Sequence, residues 1–124
     1  MKTTREQREE FLQAYIKCAI WSTPEDDDRI PFDHPDLELS PKALERCKKD
    51  CDSFLEEMVE MPSYGSGEYS DTAMCGHDFW LTRNGHGAGF WDRGIGLLGD
   101  TLTNLAETFG ECYLYVCGDF IEIE

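Results

Sequence analysis

A chain of 124 residues has the length of one domain, which we expect to span residues 1–124. Its hydrophobic fraction of 40% is enough for a packed core and argues against wholesale disorder. The net charge is −15, and Arg83 and Arg93 are the only bases after Lys49. This charge argues against direct binding to nucleic acid or to an anionic membrane, and it would attract a basic protein surface.

Cysteine usage indicates the compartment. Six cysteines would permit a disulfide framework, but the opening Met-Lys-Thr-Thr-Arg-Glu-Gln-Arg lacks the regions of a signal peptide. We therefore expect a cytosolic chain with reduced thiols. No apolar run approaches the length that crosses a membrane.

A first helix is predicted from Arg5 to Trp21. Thr4 and Gln7 have the spacing of a capping box, and an apolar stripe follows at helical spacing. The acidic run at residues 25–28 comes soon after the helix. It lacks the glycine and the distal glutamate of an EF-hand loop, so the sequence favours a solvated loop over a calcium site.

A second helix is predicted from Pro41 to about Met61, because Ser40 followed by proline is a favourable helix start. Its apolar stripe consists of Leu44, Cys47, Cys51, Phe54, Leu55 and Met58. Two cysteines one turn apart could hold a metal ion, but apolar thiols in a helix core are the more common case.

The stretch 75–93 predicts a β-hairpin. Asn84-Gly85 suits a two-residue primed turn, which would place Phe79 opposite Phe90 and His77 opposite Asp92. Alternation would put His77, Phe79 and Leu81 on one face and Asp78, Trp80 and Thr82 on the other. Gly87 and Gly89 leave open a wider loop with a different register.

The remaining residues predict a third helix from Leu97 to Phe109, stopped by Gly110, and a second hairpin that turns at Gly118-Asp119. In that hairpin Leu114, Val116, Ile121 and Ile123 share the core face, and Tyr113, Tyr115, Glu122 and Glu124 share the wet face. The order helix, helix, hairpin, helix, hairpin predicts an α+β fold. We expect a four-stranded, mainly antiparallel sheet with helices packed on one face.

The uncovered face of such a sheet would carry aromatic and charged side chains, which is typical of an interaction surface. The alternative is that a helix covers this face. The predicted binding residues are Trp80, Trp91, Tyr113, Tyr115, Asp78, Asp92, Glu122, Glu124, Arg83 and His86.

Three chemical roles for the first hairpin remain open. A metal site could draw on Cys75, His77, His86, Cys112 and Cys117, although no paired zinc-type cysteine spacing exists. A catalytic site could use a histidine as general base, with an aspartate to orient it and an arginine to clamp an anion. The structural role, in which Asp78, Arg83 and their neighbours tie the hairpin to nearby backbone, is favoured. We accordingly predict no catalytic residue, no metal and no cofactor.

The string Gly-His-Asp-Phe-Trp-Leu-Thr-Arg-Asn-Gly-His-Gly-Ala-Gly-Phe-Trp-Asp-Arg-Gly at residues 76–94 resembles a widespread family of small proteins encoded by tailed bacteriophages. The resemblance extends over roughly the last fifty residues. It implies a phage origin and the cytoplasm of the bacterial host cell, and it implies no reaction and no site residues.

The sequence therefore favours a small acidic binding protein that contacts a host protein through that protein's basic surface. Its carboxylates could mimic nucleic-acid phosphates at a host defence or nucleic-acid enzyme, and so inhibit it. Two alternatives remain: a small enzyme or metal-binding protein that uses His77 and His86, and a structural or assembly homodimer.

Overall fold

The computed structural model describes residues 4–22, 38–59, 72–85, 89–90, 97–118 and 120–124. Four helices account for most of these residues: α1 (Arg5–Ser22), α2 (Pro41–Val59), α3 (Thr72–Arg83) and α4 (Leu97–Glu107). Three short strands complete the described fold: β1 (Glu38–Leu39), β2 (Leu114–Cys117) and β3 (Phe120–Ile123).

Helices α1 and α2 begin where the sequence predicts. The Thr4 amide donates to the Gln7 side chain and the Gln7 amide donates to the Thr4 hydroxyl, which is a complete capping box. The Ser40 hydroxyl accepts from the Ala43 amide at 3.0 Å and caps α2. The predicted apolar stripe of α2 is buried except for Leu44, which is 42% exposed.

The prediction of a hairpin at residues 75–93 is wrong, because Thr72–Arg83 forms helix α3. Phe79 and Trp80 would lie on opposite faces of a strand, yet both are buried, as are Asp78 and Thr82. A helix that is buried on most of its circumference has no apolar stripe at the 3.6-residue period. The sequence of α3 could therefore be read as the alternating pattern of a strand. Asn84-Gly85 ends this helix: Gly85 has φ 69°, and its amide donates to the Thr82 carbonyl.

The predicted cross-strand pair of Phe79 and Phe90 does not form, and each ring packs against a third ring instead. Both rings stack on Phe54 of α2, with ring centroids 4.2 Å and 5.5 Å away. Phe90 is held there because its amide donates to the Thr82 hydroxyl at 3.2 Å. Three aromatic side chains from separate segments therefore form the centre of the core.

Helices α1 and α3 are in close contact at Gly76. A side chain at this position would collide with the Phe11 backbone carbonyl of α1. The glycine therefore lets two helix backbones approach closely, and Tyr15 packs its ring against both Phe79 and Trp80.

The C-terminal hairpin matches its prediction. Leu114 pairs with Ile123 and Cys117 with Phe120, and Gly118 in the turn has φ 63°. Leu114 and Ile121 are buried on one face, as predicted. Helix α4 ends at Glu107, two residues before the predicted end, and Gly110 follows with φ 76°.

The predicted four-stranded, mainly antiparallel sheet is wrong. The described sheet has three strands in the order β1-β3-β2, and it is mixed because β1 runs parallel to β3. Its third strand comes from Glu38–Leu39, which lies just before α2 in the chain and was not predicted as a strand. Of the two predicted hairpins, only the C-terminal one forms among the described residues, most of which are helical.

Candidate binding surface

Hairpin β2–β3 has a face that points away from the core, which we call the outer hairpin face. It carries six side chains because residues paired across the two strands share a face. The members are Tyr113, Tyr115, Cys117, Phe120, Glu122 and Glu124. Tyr113 is 57% exposed and Phe120 is 43% exposed, so two large aromatic rings meet solvent on one small surface.

The strand pairing places each of the two glutamates of this face directly opposite a tyrosine. Glu124 lies opposite Tyr113, whose hydroxyl donates to Glu124 Oε2 at 2.7 Å. This hydrogen bond to a carboxylate raises the pKa of the Tyr113 hydroxyl. Glu122 lies opposite Tyr115, and both are half-buried. The face therefore alternates aromatic rings with carboxylates, as the sequence predicts for these four residues.

A groove of about 270 Å³ borders this face where β3 passes the first turns of α2. Lys42 and Arg46 line its helix side, and Tyr115, Glu122 and Glu124 line its strand side. Neither base lies within 4 Å of either carboxylate, among the residues described here. The groove thus presents both signs of charge at the rim of the outer hairpin face.

Arg83 belongs to the core and not to a surface. It is 3% exposed, and its Nη1 donates to the Asp50 carboxylate at 2.9 Å and to the Tyr15 hydroxyl at 3.0 Å. Its Nε and Nη2 donate to the carbonyls of Gly110 and Phe109, both at 2.9 Å. Burial lowers the pKa of Arg83, but the acidic groups of Tyr15, Cys112 and Asp50 more than offset this, so the pKa is raised.

Trp80 and Asp78 are buried as well, which corrects their predicted exposure on a sheet face. Trp80 is 2% exposed, and its indole donates to the Ser22 hydroxyl of α1 at 2.8 Å. Asp78 is fully buried in α3, beside the part-exposed ring of His77. Trp80 therefore joins α3 to α1, and neither residue presents its side chain to a partner.

Of the residues proposed for a catalytic histidine base, the structure describes His77, Asp78 and Arg83. His77 Nδ1 lies 3.4 Å from Asp78 Oδ1, which is a long contact. The Arg83 guanidinium is directed to Asp50, Tyr15 and two carbonyls, so it does not join this pair. The other residues of this hypothesis, His86, Asp92 and Arg93, lie outside the described residues, as does the predicted binding residue Trp91.

Five of the six cysteines are buried, and Cys117 is exposed. Burial raises the pKa of Cys18 and of Cys47 to about 12, and it raises the pKa of Cys51 further from its ordinary value. Such thiols are protonated at neutral pH and behave as small apolar side chains. Within the described ranges, no group of three or more His, Cys, Asp and Glu side chains is arranged to hold a metal ion.

Sequence reasoning omitted three residues that the structure places at this surface. Phe120 shares the outer hairpin face with Glu122 and Glu124, and the alternation of the strand could have identified it. Lys42 and Arg46 reach the same region from α2. No local pattern reveals that proximity, because it depends on how α2 packs beside β3.

Comparison of the chain with protein-family models, with curated proteins and with solved structures finds no match. Among the helices described here, none is both long and apolar enough to cross a membrane.

Proposed function

We propose that this chain is a small acidic binding protein that acts by protein–protein contact, and that the outer hairpin face is its contact surface. The observation that carries the proposal is the exposure of Tyr113 and Phe120 on that one face. Solvent-exposed aromatic rings are enriched where proteins bind one another, since they bury a large area at a low cost in side-chain entropy.

Charge indicates the chemistry of the partner. The chain has a net charge of −15, and Glu122 and Glu124 stand beside the exposed rings. A partner with a basic surface would be steered toward this face, and its cations would meet carboxylates at the rim of the aromatic contact. The resemblance of residues 76–94 to phage proteins suggests that the partner is a host protein in the bacterial cytoplasm.

One form of this proposal is mimicry of nucleic acid. A basic groove that binds DNA phosphates in a defence or nucleic-acid enzyme would also attract an array of carboxylates. Binding would then compete with DNA and would inhibit the enzyme.

The test is capture of host proteins from a bacterial lysate on the immobilised chain at low and at high salt. We expect a basic protein to be retained at low salt and released at high salt. The double variant Tyr113→Ala/Phe120→Ala should lose the partner, and Glu122→Gln/Glu124→Gln should weaken binding and reduce its salt dependence.

The matched control is Glu56→Gln/Glu57→Gln, which removes the same charge from exposed positions on α2. Equal loss of binding in the two glutamine pairs would show that net charge alone attracts the partner, and the outer hairpin face would not be the site. For the mimicry form, duplex DNA should displace the captured protein, and failure to displace it would exclude that form.

A further inference from the structure

Among the described residues, one edge of strand β2 pairs with no other strand, and the hydrogen-bonding pattern of β2 is defined by its pairing with β3. Tyr113 and Glu124 exchange both backbone hydrogen bonds, at 3.1 Å and 3.0 Å. In an antiparallel pair such exchanges recur at every second residue, so Tyr115 and Cys117 also direct their backbone groups toward β3. Leu114 and Val116 therefore direct theirs the other way, to the outer side of the sheet.

That outer side carries no strand in the described fold, because the order is β1-β3-β2. The next outward amide, that of Cys112, donates to the Asn84 side chain at 2.8 Å. Asn84 thus closes one end of the edge and leaves a window of two residues, Leu114 and Val116. In the part of the chain that the structure describes, nothing bonds to the amides or carbonyls of this window.

We propose that this window pairs with the same window of a second copy of the chain, across a two-fold axis at Tyr115. The axis pairs Leu114 of each copy with Val116 of the other, and both residues direct their backbone groups outward. Four backbone hydrogen bonds form, and the two three-stranded sheets become one sheet of six strands. The proposal does not depend on the proposed function, because the dimer forms through backbone groups of the edge; of the outer hairpin face, only the Tyr115 side chain lies at the axis.

The lack of charged side chains on β2 makes this edge a place where a second copy can approach despite the charge of the chain. Two molecules of net charge −15 repel each other over most of their surfaces, but β2 has the sequence Leu-Tyr-Val-Cys and carries no charged side chain. Glu122 lies one strand inward from Tyr115, so the two Glu122 side chains of the dimer are separated by three strand spacings, about 14 Å. That separation exceeds the screening length of physiological salt, about 8 Å.

The two-residue window also favours a copy over an unrelated strand. A second molecule brings a window of the same length, closed by its own Asn84, so all four outward groups of each copy find a partner. The axis brings Tyr115 of each copy directly opposite its equivalent, where cross-strand aromatic pairs stabilise a sheet. Because the pairing is short, the dimer should dissociate on dilution.

Disulfide cross-linking of the purified protein tests the register. At the axis, Cα atoms of the two residues 115 lie about 4.5 Å apart, which a disulfide spans. Residues 113 and 117 lie two positions from the axis, so their symmetry mates are about 13 Å apart and cannot be joined. Cys117 is the exposed cysteine of the native chain and is replaced by serine in the test background.

In that background we expect Tyr115→Cys to cross-link to a dimer under copper-phenanthroline oxidation, and Tyr113→Cys to remain monomeric. Tyr113→Cys with Cys117 retained should cross-link, because position 113 then faces position 117 of the other copy. Equal cross-linking of Tyr113→Cys and Tyr115→Cys in the serine background would overturn the proposal, as would efficient cross-linking through native Cys117 alone.

Sedimentation analysis over a wide concentration range provides a second readout. Val116→Pro removes an outward amide without removing a bond to β3, and it should raise the dimer dissociation constant by at least about tenfold, since it deletes two of the four bonds. Higher salt should strengthen the dimer because the chains repel, whereas salt weakens the proposed host contact. A monomer at every concentration and salt would overturn the dimer and leave the host contact to its own test.

Discussion

Arg83 and Asp50 form a 2.9 Å ion pair that joins α3 to α2 in the interior of the protein. The arginine side chain is 1% exposed and the aspartate side chain is 23% exposed, so the cation is the more completely desolvated partner. The same guanidinium bonds to the last carbonyls after α4, where a helix dipole favours a cation. One side chain thus connects α1, α2, α3 and the end of α4.

We predict that Arg83→Met lowers the free energy of unfolding by about 3–5 kcal/mol, because it leaves Asp50 and the part-buried carbonyls of Phe109 and Gly110 without their donor. Arg83→Lys should recover only part of this loss, since an ammonium cannot reproduce the planar fork of donors. Urea unfolding measures both changes. Lys48→Met removes an exposed cation from α2 as a control and should change stability by less than about 0.5 kcal/mol.

The elements that follow local rules were predictable from the sequence. The capping box at Thr4, the cap at Ser40 and the hairpin that turns at Gly118 each depend on a few adjacent residues, and each forms as predicted. Helix α3 was not predictable in this way. Its amphipathic signal is lost because α1, α2, α4 and Phe90 all contact it, and its terminal Asn-Gly has the same sequence as a hairpin turn.

The predicted binding residues were placed correctly where local strand alternation decides their position, and incorrectly where tertiary packing decides it. Tyr113, Tyr115, Glu122 and Glu124 were assigned to one wet face by period-two alternation, and the structure places them there. Trp80, Asp78 and Arg83 depended on the incorrect hairpin and lie in the core. Whether those three residues are exposed or buried depends on the contacts of α3 with segments distant in the chain, which no local pattern encodes.

Gly76→Ala should destabilise the protein by about 1–3 kcal/mol, although alanine is the better helix former. The added methyl group would collide with the Phe11 carbonyl, and a backbone atom can move only if α1 shifts away from α3. Thermal unfolding measures the change. Ala73→Gly, at an exposed position of α3, isolates helix propensity and should cost about 1 kcal/mol or less, so a stabilising Gly76→Ala would contradict the close packing of α1 and α3.

Asn84→Ala should cost about 1–3 kcal/mol. Its amide group donates to the Trp80 carbonyl at 3.0 Å, and its oxygen accepts from the Cys112 amide at 2.8 Å, so alanine leaves the Cys112 amide without its acceptor. Hydrogen exchange at Cys112 should accelerate in this variant. The amide of Glu122, which bonds within the β2–β3 ladder, serves as the internal control and should exchange at its original rate.

Thiol reactivity should divide the cysteines by burial. In the native protein we expect one fast-reacting thiol with an aromatic disulfide reagent, that of Cys117, and five slow ones that react only as the fold opens. Cys117→Ser should abolish the fast phase and leave the slow phases unchanged. A second fast phase in Cys117→Ser would show that a thiol such as Cys112 is accessible in solution.

Stability should fall as the solution becomes alkaline. Burial raises the pKa of Cys18 and of Cys47 from 9.0 to about 12. Between these values the unfolded chain releases a proton from each thiol and the folded chain retains it, so the stabilisation is complete below pH 9 and is lost as the pH rises toward 12. Each thiol adds at most about 1.4 kcal/mol per pH unit to this loss.

Cys47→Ala should therefore reduce the slope of unfolding free energy against pH above pH 9, measured by urea unfolding at a series of pH values. Leu102→Val is the matched control, because it also removes volume from the core but no titrating group. It should lower stability equally at every pH and leave the slope unchanged. If both variants retain the full alkaline slope, Cys47 is not the source of the pH dependence, and the thiol is either ionised in the folded protein or exposed to solvent there.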